Sequence, residues 1–288
     1  MKKILKILLA VLLALVLLPA ACSMSDSEIK KPSGSGSDAA EVVTIAETVL
    51  YESGGIKVTA TGYEDGWMGP EIKLAVENNS SKNVLLTVKH LSVNGYMMPY
   101  ANLYAEVAAG KKANDSISIL SSELKQSGID VVADLQFQIQ VSSADTWETL
   151  TTSDLISLST SAAGHVQNVD DSGDVLYENK GIRVVCKGLK QDLIWDGTIV
   201  FYMENSCGKT VSIYAENVSV NGYMQDVSLW SELRNGTRVI DGMSLLDLSD
   251  LNLESIDDVK NIEFNLRIVN ADTWDEIATT GVLKLNFG

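Results

Sequence analysis

The chain contains a long internal repeat, and this repeat restricts the possible folds more than any other feature. The segment Ser92–Met97 (Ser-Val-Asn-Gly-Tyr-Met) returns unchanged as Ser219–Met224, and Val49–Glu52 returns as Val175–Glu178. Further motifs follow in the same order in both copies. Because a unit of about 110 residues can close its own hydrophobic core, each copy is predicted to be a complete domain.

Within each copy the hydrophobic pattern has a period of two residues, which is typical of β-strands. Ile56, Val58 and Ala60 alternate with polar residues, and the pattern repeats in the second copy. Asn94-Gly95 and Asn221-Gly222 follow apolar runs and predict tight β-hairpins. Further strands are expected near residues 72–76, 84–93, 103–107, 116–120, 135–141 and 155–158, with one short helix at 122–126. The expected fold is all-β, with two tandem immunoglobulin-like β-sandwich domains.

The N-terminus has the pattern of a secretory signal. Lysines at positions 2, 3 and 6 precede an apolar run over residues 7–18, and small residues then lead to Cys22. The apolar run is too short to span a membrane comfortably. The pattern resembles a bacterial lipobox with Cys22 as the lipidated residue, although Pro19 stands where leucine is usual. Plain secretion and an uncleaved anchor are the alternatives.

Composition and the repeat together set the expected boundaries. Residues 1–21 are the predicted signal peptide, and the Ser- and Gly-rich residues 22–46 form a flexible tether. Residues 47–160 are repeat 1, residues 161–173 are a solvated linker, and residues 174–288 are repeat 2. The expected location is the extracytoplasmic face of the cell membrane, with the chain attached to the membrane through its lipid.

The charge and the scarcity of ligand residues exclude several classes of function. The chain has 22 Lys and Arg against 38 Asp and Glu, a net charge of −16, so it lacks the basic surface that nucleic acid requires. Two histidines and three cysteines make a zinc or iron site unexpected. The acidic segment 170–174 lacks the alternating pattern of a calcium loop. No cofactor or metal is expected.

The motifs together resemble a known family. Asn-Gly-Tyr-Met after a strand, the segment Ala109–Asp115, and Asp145-Thr146-Trp147 are similar to motifs of uncharacterised Firmicutes cell-surface lipoproteins with tandem immunoglobulin-like domains of unknown function. The resemblance covers residues 47–160 and 174–287, and repeat 2 departs from it at Gly236–Asp241. It implies a fold and a location but no activity and no binding residues.

No catalytic site is predicted. A nucleophilic triad needs a histidine base, but His90 lies on a predicted strand and His165 lies in the linker. Pairs of acids are abundant, so composition does not exclude a glycosidase pair. These acids cluster in turns, however, as they do in any acidic protein. Cys186 is expected to be a small core residue, and a bridge between Cys186 and Cys207 in a turn is the alternative.

The aromatic residues give the one candidate binding site. Because sequential antiparallel strands place alternate turns at opposite ends of a sandwich, two loops of each repeat should share one end. The candidate binding residues on these loops are Trp67, Met68, Tyr96, Trp195 and Tyr223. They could form an exposed platform for a sugar or a protein, or they could fold back to cap the core. The recurring Trp147 and Trp274 are interpreted as structural residues that close one end of each core.

The sequence therefore predicts a non-enzymatic interaction or adhesion module with a surface protein or glycan ligand. The alternative is a carbohydrate-binding surface protein that uses the loop aromatics as stacking platforms.

Overall fold

The alternating pattern folds into strands throughout the part of the chain that the computed structural model describes. This part comprises residues 42–190, 197–227, 229–245, 251 and 253–287. The predicted signal peptide, Cys22 and most of the tether lie outside the described residues, as does Trp195. None of the helices in the described part has the length and hydrophobicity needed to cross a membrane.

Repeat 1 contains ten strands and one short helix. They are β1 (Thr48–Ser53), β2 (Ile56–Asp65), β3 (Pro70–Asn78), β4 (Val84–Val93), β5 (Tyr96–Met97), β6 (Tyr104–Val107), β7 (Lys111–Ser118), α1 (Ser121–Gln126), β8 (Asp134–Ser143), β9 (Thr149–Thr152) and β10 (Ile156–Ser159). Asn94 and Gly95 both have positive φ, at 49° and 82°, as the predicted two-residue hairpin turn requires.

Repeat 2 contains an equivalent series. Its strands are β11 (Asp174–Asn179), β12 (Ile182–Lys190), β13 (Gly197–Asn205), β14 (Val211–Val220), β15 (Tyr223–Met224), β16 (Trp230–Leu233), β17 (Thr237–Leu245), β18 (Asn261–Asn270), β19 (Glu276–Thr279) and β20 (Leu283–Asn286). A 3-10 turn at Ile256–Asp258 lies between β17 and β18. The prediction of an all-β fold is confirmed.

The strands form three sheets, and one of them is shared by both repeats. The first has the order β1-β2-β3-β7, and the third has β15-β14-β18-β19 with β16 and β20 at its sides. The second runs β10-β8-β4-β5-β17-β13-β12-β11. Its two halves meet where Tyr96 pairs with Arg238 in parallel, and the Arg238 backbone N–H donates to the Gly95 carbonyl oxygen at 3.0 Å.

Each repeat has its own hydrophobic core, and a few side chains cross from one to the other. Val185 and Tyr202 of repeat 2 pack into the core of repeat 1, and Met97 of repeat 1 packs into the core of repeat 2. The described residues belong to one compact unit, Val42–Gly288. The packing of repeat 1 against repeat 2, which we call the joint, therefore determines which loops of each repeat reach solvent.

The residues of the predicted linker are mostly exposed, but hydrogen bonds tie them to both repeats. Gln167 donates to the Gly128 carbonyl oxygen at 2.8 Å and accepts from Asn94 at 3.0 Å. Lys187 of repeat 2 forms an ion pair with Asp170 at 2.9 Å. The segment is therefore bonded to both repeats.

The cysteines of repeat 2 are not bridged. Cys186 is buried in the core of repeat 2, as a small core residue should be, and Cys207 is partly buried in a turn. Both are free thiols. Stability therefore comes from packing and hydrogen bonding in this part of the chain.

Candidate functional site

The five predicted binding residues differ in their exposure to solvent, and one of them, Trp195, lies outside the described residues. Trp67 is 96% exposed and Met68 is also exposed, in a loop held by a hydrogen bond from the Ser121 N–H to the Met68 carbonyl oxygen. Tyr223 is 62% exposed. Tyr96 is only 1% exposed, so the prediction that it belongs to a surface platform is wrong.

Tyr96 is buried because repeat 2 covers its hairpin. The Arg238 guanidinium lies over the Tyr96 ring, 5.3 Å from its centroid, in a cation–π contact. The equivalent hairpin of repeat 2 has the same local turn: the Asn221 side chain accepts the Lys260 and Asn261 N–H groups, as Asn94 accepts those of Ala133 and Asp134. The local sequence thus sets the turn, and the neighbouring repeat sets its exposure.

Trp147 and Trp274 are exposed, which contradicts their interpretation as core-closing residues. They are 65% and 63% exposed, and each has a φ of 63°. This left-handed conformation costs a bulky residue about 1–2 kcal/mol, and glycine or asparagine would adopt it more easily. Two tryptophans thus occupy strained turn positions without contributing to a core, which is typical of residues that act at a surface.

In repeat 2, Trp274 is one end of a row of three aromatic rings on the outer face of the third sheet. The Tyr214 ring lies 6.3 Å from Trp230 at an angle of 9°, and 6.2 Å from Trp274 at an angle of 29°. Trp230 is exposed and Tyr214 is half-buried. We call Trp230, Tyr214 and Trp274 the aromatic row.

Charged side chains border the aromatic row. Arg267 pairs with Tyr214 in the strand register, and its guanidinium lies 3.5 Å from the Glu216 carboxylate and 3.7 Å from that of Glu276. Flat apolar rings beside hydrogen-bonding groups suit a ligand that has both apolar faces and hydroxyl groups.

Repeat 1 has a smaller version of the row. Tyr104 takes the place of Trp230, and its ring lies 6.5 Å from Trp147 at an angle of 44°. Thr87 occupies the position of Tyr214 in the register, so the central ring is missing. The continuous row is therefore confined to repeat 2.

A second feature is a cleft of about 480 Å³ between the two repeats. Repeat 2 contributes Trp230, Glu232, Asp241 and Gly242. The lining from repeat 1 consists of Val88, His90, Leu91, Met97, Met98, Pro99, Tyr100 and Ala101. We call this space the inter-repeat cleft.

Besides Tyr100, the cleft contains three titratable side chains. A bulge in β4 gives His90 a φ of 52° and aims its ring at repeat 2, where Nε2 forms an ion pair with Glu232. This pairing raises the pKa of His90 and lowers that of Glu232. Burial raises the pKa of Asp241, although its carboxylate accepts bonds from the Ser231 hydroxyl and the Gly242 N–H. No group of three or more His, Cys, Asp or Glu in the described ranges is placed to hold a metal ion.

Glu123 of α1 lies close to the cleft. Its Oε1 accepts the Tyr100 N–H at 2.9 Å, and its Oε2 is buried without a partner among the described residues. Burial raises its pKa to about 7, and the charge of Asp241 adds to this effect.

These pKa shifts predict that the protein becomes less stable between pH 5 and pH 8. Raised pKa values for Glu123 and His90 mean that the folded state binds these protons more tightly than the unfolded state, so stability is lost as the pH rises. The lowered pKa of Glu232 acts in the opposite direction, but only below about pH 4.5. Thermal melts over this range should show a falling Tm. Glu123→Gln should raise the Tm at pH 8 and leave it nearly unchanged at pH 5; an equal effect at both values would contradict this account.

Comparisons with known proteins identify no family. No family model matches the chain, and no curated protein matches it. Among solved structures, a YadV chaperone aligns with a TM-score of 0.24 and 10% identity over 75% of this chain and 92% of its own. The exo-chitosanase CsxA of Amycolatopsis orientalis aligns with a TM-score of 0.24 and 14% identity over 75% of this chain and 25% of its own, so the chain spans a quarter of that enzyme. A chicken interferon gamma receptor alpha chain aligns with a TM-score of 0.23 and 8% identity over 86% of this chain and 98% of its own. The chain is thus described by its own geometry, as an all-β protein with an exposed aromatic row.

Proposed function

We propose that this chain is a non-enzymatic binding module on the extracytoplasmic face of the cell membrane, attached through lipid on Cys22, and that its ligand is a carbohydrate. The leader pattern ending at Cys22 supports the location. The aromatic row supports the ligand class, because sugar rings stack their C–H faces on exposed aromatic rings.

The observation that carries this proposal is the conformation of Trp274. The side chain is exposed on a backbone that an L-residue adopts only at a cost, and it extends a row of nearly parallel rings. A turn selected for stability alone would have glycine there. The strain is therefore best explained if the exposed indole ring binds a ligand.

The charge of the protein narrows the ligand class. With a net charge of −16, the surface repels anionic polymers, and Glu216 and Glu276 border the row itself. We therefore expect neutral glycans to bind in preference to sulfated or uronic-acid glycans. The smaller pair Tyr104 and Trp147 offers a second contact, which would raise the affinity for a long polymer by effective concentration.

Trp274→Gly should abolish glycan binding without destabilising the protein. Glycine relieves the left-handed strain, so the free energy of unfolding should stay the same or rise by up to about 1 kcal/mol. The measurement titrates residues 23–288 with neutral β-glucans and N-acetylglucosamine oligomers by calorimetry, and urea unfolding gives the stability.

Trp147→Gly serves as the matched control, because it relieves the same strain in repeat 1 and leaves the aromatic row intact. It should retain binding to short oligomers. Unchanged binding by Trp274→Gly would rule out the row as the binding surface, and a flat response of the wild-type protein to all neutral glycans would rule out the ligand class.

Adhesion to a protein is the second candidate, and the hairpin of repeat 2 favours it. Tyr223 and Met224 are exposed, whereas the equivalent residues of repeat 1, Tyr96 and Met97, pack against repeat 2. An exposed hairpin of the same sequence could contact another protein in the same way. A Tyr223→Ala/Met224→Ala variant that loses attachment to host or neighbouring cells, while Trp274→Gly retains it, would support this candidate over glycan binding.

A further inference from the structure

We propose that the inter-repeat cleft binds a small organic amine that has an apolar body. This site is separate from the glycan surface, apart from Trp230, which contributes to both. The cleft volume of about 480 Å³ is in the range of small-molecule sites, which combine an apolar lining with a few polar groups.

The apolar body of the ligand would contact the side of the cleft formed by repeat 1. Leu91, Met97 and Met98 are buried and supply an aliphatic surface. Methionine adapts its shape to irregular ligands, because its side chain is unbranched and polarisable. This surface selects for a hydrocarbon portion and does not by itself select for charge.

The charge of the cleft selects for a cation. Apart from the Tyr100 hydroxyl, its titratable lining consists of the Glu232 and Asp241 carboxylates and the His90 ring, which already pairs with Glu232. The nearby Arg234 is not part of the lining: its guanidinium donates to the Ser92 hydroxyl at 2.7 Å and to the His90 carbonyl oxygen at 3.2 Å. Among the described residues, Asp241 is thus left as an acidic group of the lining without a cationic partner.

Two aromatic rings complete the site. Trp230 and Tyr100 belong to the lining, one from each repeat, and both are largely exposed. An ammonium group is attracted to the face of an aromatic ring, most strongly to tryptophan. A cation near Asp241 would therefore have a carboxylate and two aromatic rings within one small space.

The internal repeat supplies a matched control position for Asp241. Asp115 of β7 has the register position of Asp241 and the same hydrogen bond from the next backbone N–H, at 2.8 Å in both. Asp115 does not line the cleft. Replacing each by asparagine removes one equivalent charge, inside and outside the proposed site.

The experiment titrates residues 23–288 at pH 7 with phenethylamine and with 2-phenylethanol, a neutral probe of similar size, and follows binding by NMR. We expect phenethylamine to bind at least tenfold more tightly than the alcohol. Asp241→Asn should weaken phenethylamine binding about tenfold and leave 2-phenylethanol unchanged. Asp115→Asn should change neither.

Tyr100→Ala provides an independent test, because this side chain is 66% exposed. It should weaken phenethylamine binding severalfold and leave the urea unfolding curve unchanged. Equal affinity for the two probes, or an unchanged phenethylamine affinity in both Asp241→Asn and Tyr100→Ala, would overturn the proposal. Because Trp274 lies outside the cleft, Trp274→Gly should retain the amine site even where it loses glycans, so failure of either proposal can be recognised separately.

Discussion

Tyr96→Ala is expected to lower the free energy of unfolding by about 3–5 kcal/mol, the usual cost of truncating a buried aromatic residue. The Tyr96 side chain is fully buried between the two repeats, and the substitution also removes its cation–π contact with Arg238. The same substitution at Tyr223, in an identical sequence motif, should change stability by less than about 0.5 kcal/mol, because that ring is exposed. Urea unfolding of both variants gives the two values.

Tyr96→Phe is the control that separates ring burial from loss of the hydroxyl. It keeps the ring under the Arg238 guanidinium, so it should retain most of the stability that Tyr96→Ala loses. Equal losses for Tyr96→Ala and Tyr223→Ala would mean that the two repeats do not pack against each other in solution.

Asn205→Ala is expected to cost about 3 kcal/mol or more. The side chain is fully buried, and its amide donates to the Lys209 and Leu233 carbonyl oxygens at 2.8 and 2.9 Å. Its oxygen accepts the Cys207 N–H at 3.0 Å. Alanine leaves all three groups without these bonds, and a buried polar group left unpaired costs about 1–3 kcal/mol. Thermal or urea unfolding measures the loss.

Repeat 1 offers a replicate and a control for this prediction. Asn78 makes the equivalent bonds to the Lys82 and Val107 carbonyl oxygens, so Asn78→Ala should cost about as much as Asn205→Ala. The adjacent Asn79 is exposed, and Asn79→Ala should have little effect. A small loss at both buried positions would show that water replaces these side chains readily.

Most strands could be predicted, because strand formation follows from the local alternation of apolar and polar residues. The structure confirms the strands predicted near residues 56–60, 72–76 and 84–93, two of which extend further than expected, and the hairpin at Asn94-Gly95. Strand β9 (Thr149–Thr152) was missed because it is exposed along its whole length and has no alternating pattern.

The candidate site was predicted less well than the fold. Recurrence in both repeats drew attention to Trp147 and Trp274, but their aromatic character favoured a core position. Their left-handed backbone is visible only in the structure. The partners Tyr214 and Trp230 are 60 and 44 residues before Trp274 in the chain, and only the pairing of β14 with β16 and β18 brings these rings together.

The internal repeat is read directly from the sequence, and the all-β class and the turns follow from it because they depend on neighbours within a few residues. Which of the two identical hairpins is buried is visible only in the folded chain. Tyr96 and Tyr223 share the same local sequence, but a hairpin is buried only where another surface covers it. That surface, with Arg238, Val185 and Tyr202, comes from a distant part of the chain, so no local pattern encodes it.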